Sequence, residues 1–157
     1  MTIEEQSRFI REDLFLVLAN LSEESKPAWG KMNAQQMLEH ANDFFEVSVE
    51  KIVFPLCIPS EHLPKYREFL YSDLPFRENT KAPASVLGEE PLALRTSSVN
   101  QALSQLQTTV DTFFLYFSNA PEKQTMHPVF GLLTFPEWIM LHHKHVMHHL
   151  RQFHLTA

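Results

Sequence analysis

The stretch TFPEWIMLHHKHVMHHLRQF, running from Thr134 to Phe153, decides the fold. It opens as a helix should. Thr134 followed by Glu137 is a capping box, and Pro136 falls in the first turn, where a missing N–H leaves no helical bond unmade. Val146, Met147, Leu150 and Phe153 then recur at helical spacing, so the histidines between them belong to a folded helix and not to a purification tag. His142, His145 and His149 lie at i, i+3 and i+7, which puts them on one face with Trp138 and Gln152. Six of the chain's nine histidines fall in its last sixteen residues.

Three more helices are predicted upstream. Thr2 to Asn20 begins with a capping box, Thr2 with Glu5, and carries Phe9, Ile10, Leu14, Leu16 and Val17 at helical spacing. Asn33 with Gln36 opens a second helix, to about Ile52, whose stripe is Met37, Ala41, Phe44, Phe45 and Ser48. Ser97 or Ser98 to about Asn119 is the third, with Val99, Ala102, Leu106, Val110, Phe113 and Phe117 on its apolar face. Pro121 to Leu133 reads as a loop. Val53 to Thr96 holds six of the ten prolines and reads as one long connection with a short helix near Pro64 to Tyr71. A connection that long in a compact domain is usually a crossover or a functional lid. It can span a helix of 20 residues, ~30 Å. The expected fold is therefore all-α: a four-helix bundle, up-down-down-up, with a long crossover between helices 2 and 3, and a single domain over residues 1–157.

Composition excludes other classes. The chain has 157 residues, 44% of them apolar, enough for one sizeable core. Thirteen basic against 19 acidic residues give a net charge of −6, a poor basis for binding nucleic acid. Three glycines argue against phosphate-cradling loops. No apolar run approaches the ~20 residues of a membrane helix. A single cysteine, Cys57, rules out an intrachain disulfide and points to the cytoplasm.

His145 and His149, four apart, have Cβ atoms ~5–6 Å from each other, so both imidazoles can converge on one ion. Val146 follows the first of them where a zincin protease carries its glutamate, so that general base is missing. His40, on the inward side of the second helix between Met37 and Phe44, is the third candidate. In the expected topology its helix is antiparallel to the last one, which brings His40, His145 and His149 to one end of the bundle. Three imidazoles leave a coordination position open, the mark of a catalytic site; imidazole suits zinc, nickel, copper and iron, and zinc or nickel is the expected ion. His142 and Gln152 extend the stripe as residues that could orient a ligand. His143 and His148 are expected to face solvent, His62 to lie in the crossover, and His154 to be terminal. His127 is expected to be buried and hydrogen-bonded away from the site. Binding is expected to weaken as pH drops through the histidine range, because the ligands must be neutral.

These residues resemble the DinB-like superfamily of four-helix metalloproteins. The segment from Trp29 through Gly30, Lys31 and Met32 to His40 is similar to that family's Trp-to-His motif. His145, three residues, then His149 and Gln152 is similar to its second motif. The resemblance implies His40, His145 and His149 as the metal triad. More narrowly, His127-Pro-Val-Phe-Gly131, then Thr134 to Trp138 and His142 to His145, resembles a subfamily of unknown function. Leu150-Arg151 stands where the superfamily more often has Arg-Gly, a departure that also fits the subfamily. Characterised relatives are transferases and isomerases using bacillithiol, mycothiol or similar small thiols, commonly as homodimers.

The reading is thus a divalent-metal-dependent enzyme, either a small-thiol transferase or a hydrolase that activates water at the metal. Glu89 and Glu90, at the crossover's end, are weak candidates for acid or base. The alternative is a bundle that binds metal or a small ligand without catalysis. A purely structural bundle ranks last, because three histidines at one end would be unfavourable to bury without an ion.

Overall fold

A computed structural model describes residues 1–80, 83–87 and 90–156. The chain is mostly helical. α1 (Ile3–Arg8) passes through one wide π turn (Phe9–Asp13) into α2 (Leu14–Leu18). α3 (Ala34–Ser48) follows, then a 3-10 turn (Ser60–His62) leads into α4 (Leu63–Tyr71), with α5 (Ala84–Leu87) further along the same connection. α6 is Val99–Asn119 and α7 is Phe135–Gln152.

The capping boxes expected at Thr2, Asn33 and Thr134 all form. α3 stops at Ser48, short of the expected Ile52. Glu50 adopts φ 63, a left-handed conformation that ends a helix.

Residues 121–133 are not simply a loop. β1 (Thr125–His127) and β2 (Gly131–Leu133) pair antiparallel, Thr125 against Leu133 and His127 against Gly131. Gly131, at φ 79, returns the chain. Three residues per strand are too few for a period-two signal. What holds the hairpin is long-range. The buried Thr125 hydroxyl donates to the Ser48 carbonyl at 2.8 Å and accepts from Trp138 Nε1 at 2.7 Å, tying it to both α3 and α7.

His40 meets His145 and His149, while Phe45 stacks on His142, so α3 and α7 run in opposite directions. Gln35 reaches Thr96, just before α6, and Phe45 meets Phe113, so α3 and α6 run the same way. Ile10, Leu14, Leu38, Phe45, Phe113, Phe117, Trp138 and Ile139 lie in one buried cluster. Each such side chain contributes ~1.5–3 kcal/mol by leaving water.

The connection from α3 to α6 is pinned to α7 at two places. The Glu137 carboxylate accepts from Tyr71 Oη at 2.8 Å and from the Arg67 guanidinium. Lys144 Nζ donates to the carbonyls of Ser72 and Leu74 beyond α4. Among the described residues, no helix is long and apolar enough to cross a membrane.

Candidate metal centre

α3 and α7 deliver His40, His145 and His149 to one point. Nε2 of His145 lies 3.1 Å from Nε2 of His40 and 3.0 Å from Nε2 of His149. One nitrogen from each ring can be chosen so that all three lie within 4.8 Å of one another. Tetrahedral zinc with Zn–N of ~2.0–2.1 Å would space its ligand nitrogens by ~3.3 Å, so the donor set has the right dimensions.

The protonation states make the same point. Gln152 Nε2 donates to the Trp29 carbonyl at 3.0 Å, so its Oε1 is the atom 2.7 Å from His149 Nδ1. His149 must then carry its proton on Nδ1, and its Nε2 presents a bare lone pair. His145 Nε2 can donate to only one of its two neighbours. In the neutral state at least one of these two close N···N contacts therefore lacks a hydrogen bond, and a shared cation would satisfy all three nitrogens. His40 Nδ1 is buried and makes no hydrogen bond to the described residues.

Burial keeps these rings neutral. It pushes His40 down to about 4, helped by nearby His148. His145 and His149 lie well below the ordinary histidine range, first through burial and then through each ring's histidine neighbours. Protons would thus compete with an ion at lower pH than the ordinary range the sequence suggests.

His142 is on the same face but elsewhere. It is stacked on Phe45, 3.8 Å between centroids, and lies within 3.2 Å of Ser48 Oγ. It makes no hydrogen bond to the three converging rings. His127 is buried as expected, its Nδ1 accepting from the amides of Val129 and Phe130, yet Phe44 bridges it to the site by stacking on it. His148 is not solvated. It is buried against Trp29 and Phe76, because the loop before α3 and the segment after α4 cover that face. His143 is half-buried, its ring edge-on to Phe9.

Two aromatic rings wall the site. Phe44 is 4.9 Å from His40 and 5.1 Å from His145. Phe76 stands 6.4 Å from His145. A cavity of about 20 Å³, room for a water, opens beside His40 and is lined also by Glu39, Asp43, Pro91, Leu92 and Arg95.

Sequence reasoning missed the carboxylates here. Glu39 is buried, and burial alone would raise its pKa. The Thr96 hydroxyl and the amides of Thr96 and Arg95 outweigh that and hold the carboxyl below its usual value. Arg95 also forks onto Asp43 with two bonds of 2.9 Å. Both carboxylates are thus occupied in anchoring the end of the crossover to α3. Glu90 pairs with Lys31 at 2.6 Å and is exposed; Glu89 lies outside the described residues. Only Glu39's position next to His40 could have drawn attention to it.

A family model of the DinB superfamily matches residues 6–153. No curated protein and no solved structure gives a significant match. The match covers nearly the whole chain and both segments that meet at the three histidines: the chain belongs to the DinB superfamily.

Proposed function

From DinB superfamily membership, we propose that this protein is a divalent-metal-dependent enzyme. His40, His145 and His149 hold the ion, zinc or nickel, and the substrate is a low-molecular-weight thiol transferred to an acceptor. The observation that carries the proposal is the convergence of three Nε2 atoms with the His149 tautomer already set by Gln152.

A bound divalent ion would act as a Lewis acid that lowers the pKa of a group entering its open position. The chain's own residues do the rest. Three imidazoles kept neutral by burial supply the donors and leave one position free. Phe44 and Phe76 wall the rings on two sides. The scarcity of a free base favours a thiol over water. The Glu39 and Asp43 carboxylates are already engaged, and a thiol of pKa ~8.5 loses its proton far more readily than water at ~15.7. Hydrolysis is therefore the second choice of chemistry. The same scarcity favours one alternative, a metal- or ligand-binding bundle without turnover.

The proposal includes an up-down-down-up four-helix bundle, which the opposed α3 and α7 and the parallel α3 and α6 support. It extends to a single domain over residues 1–157, a homodimer and a cytoplasmic setting. Cys57 as the sole cysteine supports that setting, and the resemblance to dimeric thiol transferases supports the dimer.

Elemental analysis of tag-free protein tests the site. About one divalent ion per chain is expected, lost in both His40→Ala and His145→Ala. Loaded protein should then accelerate conjugation of a small thiol to an electrophile. No bound ion after incubation with zinc or nickel would remove the enzyme reading. Tight binding without thiol turnover or hydrolysis would leave the non-catalytic alternative.

A further inference from the structure

Phe76 lies five residues beyond α4, in a segment without regular structure. Its ring stands edge-on to His145, at 6.4 Å, and to His148, at 5.8 Å. Its ring packs on Phe69 at 5.3 Å. Little burial holds this segment down, since Leu74 is 63% exposed. The anchor is polar. Lys144 Nζ donates to the Ser72 carbonyl at 3.0 Å and to the Leu74 carbonyl, and lies 4.6 Å above the Phe69 ring. Lys144 immediately precedes His145 in α7. One turn of helix therefore carries both a proposed ligand and the fastening of the ring beside it.

The two sides of the site differ. Beside His40 there is a small cavity. On the His145 side there is Phe76. We propose that Phe76 is the specificity-determining cover of the site, limiting the size of what reaches the His145 side, and that Lys144 is the positioning residue that keeps it there. This rests on the metal reading above. A slender aliphatic thiol would enter past the ring, and a bulky aromatic one would have to displace it.

The test uses cobalt(II) as both probe and reporter. The full-length protein is loaded with cobalt, and extraction by a coloured chelator is timed for wild type, Phe76→Ala, Phe76→Leu and Lys144→Met. Removing a cover should speed exchange without changing the equilibrium. Phe76→Ala and Lys144→Met should each release metal about tenfold faster, with affinity and visible spectrum close to wild type and Phe76→Leu in between. Phe76→Ala should also let an aryl thiol perturb the cobalt spectrum at about tenfold lower concentration, with little change for a small alkyl thiol. Unchanged extraction and thiol selectivity in cobalt-loaded variants would overturn the proposal alone. So would a parallel loss of affinity in Phe76→Ala and Phe76→Leu, which would make the ring part of the site's structure. Wild-type protein that takes up no cobalt would overturn the metal reading and this proposal together.

Discussion

Gln152 uses both ends of one amide. Its NH2 group is spent on the Trp29 carbonyl, so its oxygen can only accept, and the His149 proton is fixed on Nδ1. Gly30 allows the approach. It has φ 81, and a Cβ there would come within 3.0 Å of Gln152 Nε2. Gln152→Leu keeps the bulk and loses both bonds. It should weaken metal binding ~10–100-fold, the usual cost of removing a residue that orients a ligand. Competition with a chelator of known affinity measures this, and an unchanged dissociation constant would refute the role. At this scale the sequence was most informative where helical spacing alone sets geometry. His145, His149 and Gln152 share a face because of their numbers, and His40 joined them through the expected antiparallel pairing. Glu39 and Phe76 were opaque. The meaning of Glu39 depends on Arg95 and Thr96, 56 and 57 positions away, and that of Phe76 on a fastening supplied by Lys144.

Among elements, α4 does what no periodicity could announce. It hangs from the first turn of α7 by Arg67 and Tyr71, both on Glu137. Glu137 Oε1 meanwhile accepts from the Thr134 amide and completes the capping box. One buried carboxylate thus starts a helix and fastens the connection. Burial opposes its charge, but the Thr134 amide, Tyr71 and Arg67 together hold its pKa below the usual value. Arg67→Ala removes the cation and leaves that carboxylate underpaired, with an expected loss of ~1–3 kcal/mol in urea unfolding. Amide exchange should accelerate in α4 while α6, which is not tied to Glu137, keeps its protection. Equal acceleration in α6 would show that α4 is not separately fastened. The helices themselves were legible because caps and stripes are local signals. The hairpin was not, because buried bonds from Thr125 to Ser48 and Trp138 hold it, and neither partner is a neighbour in sequence.

For the molecule as a whole, the decisive property is how many histidines are buried without charge. His127, His142, His148 and His149 are all at most 6% exposed, where the sequence read His148 as solvated. The covering loops, which a helical wheel does not contain, account for the difference. Burial pushes His127 down to about 3 and His142 well below the ordinary value of 6.5. Between 6.5 and those folded values, the unfolded chain binds protons that the folded chain refuses. Stability is thus fully present above pH 6.5 and falls as pH drops toward the folded values, by up to ~1.4 kcal/mol per pH unit for each such group. Glu39 and Glu137 have lowered values as well, so their share is lost only near and below 4.5, and the window from 6.5 to 4.5 belongs to histidine. His127 offers a clean probe, since it is outside the proposed ligand set and its Nδ1 only accepts, from the amides of Val129 and Phe130. His127→Asn keeps a turn-capping acceptor and removes the titration. Urea midpoints of metal-free protein should fall steeply from pH 6.5 to 4.5. The slope for His127→Asn should be shallower by ~1.4 kcal/mol per pH unit, whatever the variant's stability at pH 8. Metal-loaded protein should be more stable by a nearly constant amount across the same window, because the ligand imidazoles, held neutral by burial, take up no proton there in either form. Parallel slopes for wild type and His127→Asn would mean that His127 titrates normally in the folded chain, and the buried turn between β1 and β2 would need another explanation.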